Sequence, residues 1–142
     1  MIMAKTRNKK MVFTNGCFDI LHKGHIHYLS EASELGDILV VGLNSDQSVK
    51  RIKGENRPYQ DENSRALVLA ALSFVDYVVI FNEDTPHDLI KELGPEVLVK
   101  GGDYKAKEIV GYDTVISSGG EVVIIDFVEG YSSSSVIRKF SR

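Results

Sequence analysis

The strongest constraint on this chain is the regular alternation of short aliphatic runs with stretches of helical period. Residues 10–14 (KMVFT), 37–44 (DILVVGLN), 77–81 (YVVIF), 97–100 (VLVK) and 121–125 (EVVII) read as strands. They are apolar almost throughout, the pattern of strands covered on both faces. Over 24–35, Ile26, Leu29, Ala32 and Leu35 recur every three residues, and Gly36 stands where a C-terminal cap would. A second helix is expected over 61–73. A third opens at Thr85-Pro86, a capping threonine before a proline at the first helical position, and stops at Gly94. The polar stretch 45–60 reads as mostly loop, with a turn of helix around 48–52. Short helical turns are expected over 105–117 and a closing helix over 132–140.

Strands and helices alternating on this spacing predict a parallel sheet, and its crossovers must be right-handed. The fold expected is therefore α/β: a doubly wound, Rossmann-like parallel sheet of about five strands in a single domain. The 142 residues suffice for one such domain over 11–142, preceded by a basic tail over 1–10 that carries Lys5, Arg7, Lys9 and Lys10.

Charge and cysteine content narrow the function. Lys and Arg number 17 against 20 Asp and Glu, a net charge of −3, which is unlike a dedicated nucleic-acid binder. With Cys17 the single cysteine, no intramolecular disulfide or cysteine-cluster zinc site can form, and a reducing, cytoplasmic compartment is expected. The basic N-terminus is not followed by a signal-peptide core, and no segment reaches the roughly 18 apolar residues of a membrane span. No nucleic-acid or membrane partner is expected.

In doubly wound sheets ligands bind at the carboxyl ends of strands, near the switch in strand order. That rule gathers 14–25, 44–57, 101–103 and 129–135. A G-x-x-x-x-G-K-[ST] loop is missing, as is G-x-G-x-x-G after the first strand, so kinase, GTPase and dinucleotide readings lose weight. In their place stands Thr14-Asn-Gly-Cys-Phe-Asp-Ile-Leu-His-Lys-Gly-His25. Gly16 lets a phosphate approach the backbone, and a helix starting near Gly24 points free amides and the positive end of its dipole at the same place. His22 and His25 sit at that entrance, where neutral imidazoles can donate to phosphate oxygens. Taken singly, each histidine has a structural or surface role as its ordinary alternative.

Other segments carry similar pairs of readings. Lys50, Arg51, Lys53 and Arg57 form either a phosphate-facing patch or a solvated loop. Arg65 either reaches the same anions or makes a surface salt bridge. Gly101-Gly102-Asp103 is an ordinary turn or a close approach to a sugar or base. Residues 129–135 are a helix cap or a nucleotide contact. Asp19 either holds sugar hydroxyls or caps a turn. Cys17 is read as packing, and His27 and His87 have no motif support.

The H-x-G-H spacing directly after Asn-Gly-x-Phe-Asp, at the first strand-to-helix junction, resembles the nucleotidylyltransferase superfamily. Longer segments make the chain most similar to the adenylyltransferase domains of ADP-heptose synthases, over nearly all of 11–140. They include Val41-Gly-Leu-Asn-Ser-Asp-Gln-Ser-Val-Lys-Arg-Ile-Lys-Gly54, Arg65-Ala-Leu-Val-Leu-Ala-Ala-Leu72, Leu98-Val-Lys-Gly-Gly-Asp-Tyr104 and Glu129-Gly-Tyr-Ser132.

The resemblance implies transfer of AMP from ATP to a sugar 1-phosphate, D-glycero-β-D-manno-heptose 1-phosphate, with release of pyrophosphate and with Mg²⁺ accompanying ATP. It implies His22, His25, Lys50 and Lys53 as the catalytic set, and no protein metal ligands. Nucleotide contacts are implied at Thr14, Asn15, Gly16, Phe18, Gly24, Arg57, Gly101, Asp103, Glu129, Gly130, Tyr131, Ser132, Ser133 and Ser134. Acceptor contacts are implied at Asp19, Asn44 and Arg65. A homodimer is expected, and because only about ten residues precede the first strand, a sugar kinase acting upstream is expected as a separate chain.

Ser133 and Ser134 stand where relatives often have threonine, a change that keeps the hydroxyls. Phe127-Val128 stands where glycerol-3-phosphate cytidylyltransferases have Arg-Thr, which weakens the cytidylyl reading. That enzyme, an FAD-synthase-like transferase and a non-catalytic nucleotide-binding module are the alternatives.

Overall fold

The structure is a computed structural model that describes residues 8–102 and 105–126. Five strands, β1 (Met11–Gly16), β2 (Ile38–Asn44), β3 (Tyr77–Phe81), β4 (Val97–Gly101) and β5 (Glu121–Ile125), form one sheet. Every neighbouring pair is parallel and the order is β3-β2-β1-β4-β5. This is the doubly wound α/β arrangement expected from the strand and helix pattern. The order reverses between β1 and β4, so the carboxyl ends of those two strands flank the crevice where such sheets take ligands.

Alternation along β1 shows how both faces are filled. Val12 packs with Tyr28, Leu29, Leu39, Val41 and Leu69, on the face covered by α1 (Lys23–Ser33) and α3 (Glu62–Ala70). Met11 and Phe13 pack with Ile90, Leu93, Leu98 and Val115, on the face covered by α4 (His87–Leu93) and α5 (Tyr112–Ser117). Two aliphatic layers thus grip the sheet and fix its carboxyl edge.

Three local expectations are corrected. Residues 46–53 are a full helix, α2 (Asp46–Lys53), rather than mostly loop. Ser45 caps it by accepting the Ser48 amide at 3.1 Å, Val49 is its apolar anchor, and the basic last turn complements the dipole. One buried apolar residue in a polar stretch, with Ile52 left exposed, carries too little period to be read from sequence.

Helix α1 ends at Ser33 with Glu34 as its cap, so Gly36 is no cap. A Cβ there would come within 2.8 Å of the Lys10 carbonyl oxygen, and close approach to β1 is what demands glycine. Helix α4 begins at His87 with Pro86 in the cap position; Thr85 lies a residue too early, and its hydroxyl is 3.5 Å from the His87 amide. The expected turns over 105–117 are a 3₁₀ turn (Ala106–Glu108) and α5. The closing helix over 132–140 lies outside the described residues, among which no helix is long and apolar enough to cross a membrane.

Candidate active site

The carboxyl end of β1 runs into a tight bend and then α1. Phe18, at φ +46°, takes a left-handed conformation that costs a non-glycine residue about 1 kcal/mol. Its ring lies edge-on to His25 with centroids 5.3 Å apart, and folds back over Gly16. A Cβ on Gly16 would meet that ring at 2.9 Å, so glycine is required at this bend.

The two histidines form a reciprocal cap. His22 is the N-cap of α1, and its Nδ1 accepts the Gly24 amide at 3.1 Å. Nδ1 of His25 accepts the His22 amide at 3.3 Å, and the two rings stack with centroids 3.9 Å apart. With both Nδ1 atoms accepting, the neutral rings carry their protons on Nε2. Burial, helped by His22 and Lys53, lowers the His25 pKa to about 4, and burial also lowers that of His22. Both rings are neutral donors at physiological pH. The Gly24 amide, expected to be free for phosphate, is instead taken by His22.

Two cavities open at this edge of the sheet. The smaller, about 190 Å³, is lined by Asn15, Gly16, Phe18, Asp19, His25, Lys53, Arg57 and Gly101, among others. The larger, about 450 Å³, is lined by Asn44, Ile52, Asp84, Thr85, Pro86, Glu108 and Ile109. Asn15, Gly16, Cys17, Lys53 and Lys100 border both.

Asp19 is 1% exposed and faces the smaller cavity with its carboxylate committed to the chain. It accepts Arg57 Nε at 2.8 Å and the Tyr59 and Gln60 amides at 2.9 and 3.0 Å. Burial opposes its charge, but these hydrogen bonds outweigh burial and hold its pKa below the ordinary value. Asp19 thereby orients Arg57, whose buried Nη2 has no hydrogen-bond partner among the described residues. Arg57 also lies over the Tyr59 ring, 5.0 Å from its centroid. Arg57 borders the smaller cavity, where a guanidinium with Nη2 unsatisfied could hold an anion.

The structure separates the expected acceptor set. Asp19 lies with His25, Asn44 borders the larger cavity, and Arg65 borders neither. Arg65 is a correction: neither a surface ion pair nor an anion contact, it is a buried brace. It donates to the carbonyls of Gln60, Cys17 and Asn44 at 2.8–2.9 Å and to Asp46 Oδ1 at 2.8 Å. The brace joins the bend after β1, the end of β2 and the start of α2.

Thr14 is also corrected. It is fully buried, with its hydroxyl bonded to Tyr28, whose hydroxyl donates to the Val99 carbonyl at 3.2 Å. Lys50 is exposed on α2 and borders neither cavity, whereas Lys53 borders both. Arg51 pairs with Asp84 at 2.7 Å. Cys17 stays a thiol because burial pushes its pKa up against the nearby Lys53, Arg65 and Arg57 cations.

Asp103, Glu129, Gly130, Tyr131, Ser132, Ser133 and Ser134 lie outside the described residues. Lys100 borders both cavities and is an unexpected neighbour of the site. Its signal was available, since a lysine closes the otherwise aliphatic run of β4 just before two glycines.

The family described as cytidylyltransferase-like matches residues 13–139. The bifunctional protein HldE of Campylobacter concisus is 61% identical over 138 residues, covering 97% of this chain and 28% of its own length. HldE of Geobacter metallireducens is 59% identical over the same coverage. The chain thus spans little more than a quarter of these curated relatives. The crystal structure of the lipopolysaccharide core biosynthesis protein from Thermoplasma volcanium superposes with a TM-score of 0.69 at 33% identity, covering 87% of this chain and 99% of that one. Pantoate-β-alanine ligase from Francisella tularensis, at 15% identity and a TM-score of 0.63 over 97% of this chain and 69% of its own, shares the fold alone.

Proposed function

The chain belongs to the cytidylyltransferase-like family of nucleotidyltransferases, and from that premise we propose that it transfers AMP from ATP to a sugar 1-phosphate, D-glycero-β-D-manno-heptose 1-phosphate. A phosphate oxygen of the acceptor attacks the α-phosphorus of ATP, the bond from that phosphorus to the α,β-bridging oxygen breaks, and pyrophosphate leaves. The second pKa of a phosphomonoester is about 6, so the attacking oxygen is already anionic and no general base is needed. The protein's work is alignment and charge stabilisation.

The observation that carries the reading is the neutral His25 ring bordering the smaller cavity, with Nδ1 accepting and Nε2 left to donate. In that cavity His25, Arg57 and Lys53 would hold the triphosphate, with Asn15, Gly16, Phe18 and Gly101 against the nucleotide. The relative described as a lipopolysaccharide core biosynthesis protein supports a sugar acceptor.

Among the described residues no cluster of three or more His, Cys, Asp or Glu side chains is placed to hold a metal ion. Mg²⁺ that enters on ATP needs no such cage, because phosphate oxygens and water satisfy most of its coordination. Bound this way, it neutralises triphosphate charge.

A homodimer and a cytoplasmic location belong to the same reading. The acceptor would come from a kinase that phosphorylates a sugar at its anomeric oxygen. Pyrophosphate release tests the assignment with ATP or CTP against heptose 1-phosphate, glycerol 3-phosphate and FMN. Turnover is expected with ATP and the heptose phosphate. Preference for CTP and glycerol 3-phosphate, for ATP and FMN, or nucleotide binding without turnover on any acceptor overturns it.

A further inference from the structure

The larger cavity is bordered on one side by Asn44, at the end of β2, and on another by Asp84, Thr85 and Pro86 in the loop that follows β3. Polar side chains at the start of α2 tie these two walls together. Ser45 Oγ donates to Asn82 Oδ1 at 2.7 Å, and Arg51 Nε donates to Asp84 Oδ1 at 2.7 Å. Ser48, fully buried, donates its hydroxyl proton to the Glu83 carbonyl at 2.8 Å.

That last bond fixes the direction of Asn44. A hydroxyl has one proton and a carbonyl can only accept, so the Ser48 proton is committed to Glu83. Asn44 must then present Nδ2 to Ser48 Oγ, 3.0 Å away. The reversed amide would set Oδ1 against the Ser48 oxygen with no proton between them. With Nδ2 held by Ser48, Oδ1 is turned the other way. Asn44 is 4% exposed and borders the larger cavity, and among the described residues nothing donates to this oxygen. An acceptor so enclosed is unfavourable unless a donor reaches it.

The chemistry of the cavity says which donor. Asp84 and Glu108 add carboxylates to its lining, so the groups there accept hydrogen bonds and repel phosphate oxygens. A triphosphate belongs instead with His25, Arg57 and Lys53 of the smaller cavity. The hydroxyls of a sugar are donors that suit the larger one. Asn15, Gly16 and Cys17 border both cavities, so a ligand whose hydroxyls lie in the larger extends its other end toward the smaller.

We propose that Asn44 accepts a hydroxyl of the acceptor sugar through Oδ1 in the larger cavity, and that Ser48 is the positioning residue that keeps this oxygen turned toward the substrate. The pair makes the site selective for a polyhydroxyl phosphate over a plain phosphate monoester. The identity of the acceptor rests on the transferase reading, whereas the direction of the amide rests on the hydrogen bonds of Ser48.

Asn44→Ala, Ser48→Ala and the double variant test it. Steady-state pyrophosphate release gives kcat and each KM, calorimetric titration gives binding of ATP and of heptose 1-phosphate, and melting temperature reports folding. Asn44→Ala should raise the KM for heptose 1-phosphate on the order of tenfold, while ATP affinity changes less than about threefold. Ser48→Ala should raise the same KM about threefold or more in the parent, and less than about 1.5-fold where residue 44 is already alanine. A serine that only steadied the loop after β3 would raise it equally in both backgrounds.

Equal effects of Ser48→Ala in the two backgrounds would overturn the proposal. So would an acceptor KM within about twofold of the parent in a folded Asn44→Ala variant, or a loss of ATP affinity as large as the loss for the acceptor. For variants that do not fold, the parent decides: the side-chain amide NMR signals of Asn44 should move with heptose 1-phosphate and not with ATP, and the reverse would refute the assignment. If the parent turns over no acceptor, the transferase reading fails separately. Asn44 signals that move with glycerol 3-phosphate but not with methyl phosphate would then still support the hydroxyl site, and signals moved by both or by neither would refute it.

Discussion

The His22 amide donates to Nδ1 of His25 across 3.3 Å while the two imidazoles stack at 3.9 Å, so each ring fixes the protonation of the pair. A proton added to either Nδ1 would break a cap bond, and protonating both rings would place two cations in contact. Nitrogen-edited NMR should therefore show both rings as Nε2–H tautomers, with His25 titrating near about 4 and His22 below its ordinary value. The sign of the stability effect follows. The unfolded chain takes up these protons first, so the pair's contribution is complete above an unfolded histidine pKa of about 6.5 and falls as pH drops toward 4. A His25 midpoint above 6.5 would contradict the tautomer assignment.

His22 caps α1, and substitution can separate that role from the catalytic one that the family resemblance implies for it. His22→Ala removes the cap and should cost about 1 kcal/mol of stability in addition to activity. Asparagine is itself a good N-cap, so His22→Asn should regain most of the lost melting temperature without regaining turnover. Recovery of both together would reduce His22 to a cap.

Arg65→Lys should be far more damaging than its conservative look suggests. It leaves three carbonyls, those of Gln60, Cys17 and Asn44, short of a donor, and denaturant unfolding should show a loss of about 3 kcal/mol. A loss under about 1 kcal/mol would contradict the brace.

Much of this was legible in the sequence because aliphatic runs report buried parallel strands directly. All five strands were located, and the Asn15-Gly16 to His25 segment marked the strand end that borders both cavities. The helix 46–53 was not legible, since Val49 alone marks its buried face. Arg65 was legible only as an anion contact or a surface ion pair, because three of its partners are backbone carbonyls and no residue pattern encodes a carbonyl's position. The division of Asp19, Asn44 and Arg65 among a matched carboxylate, a cavity wall and a brace was beyond sequence for the same reason: it depends on which of three converging loops each one ties. Lys100 could have been seen as a charge that breaks an apolar run.

Asp19→Asn tests the link between the bend and the smaller cavity, where the proposed function puts the nucleotide. Its depressed pKa means the carboxylate's contribution to stability is full above about 3.9 and is lost as pH falls through its lower folded value. The variant should unfold less steeply in acid and bind ATP more weakly, because Arg57 loses the partner that aims it. Unchanged ATP affinity by calorimetry would detach Arg57 from the nucleotide.

The central claim, that a neutral imidazole at the mouth of α1 stabilises charge developing on the triphosphate, is tested most directly by pyrophosphate release from His25→Ala with saturating ATP and heptose 1-phosphate. Loss of one such donor predicts a fall in turnover on the order of a hundredfold to a thousandfold, with circular dichroism unchanged. Turnover within a few-fold of the parent in a folded His25→Ala protein would contradict it.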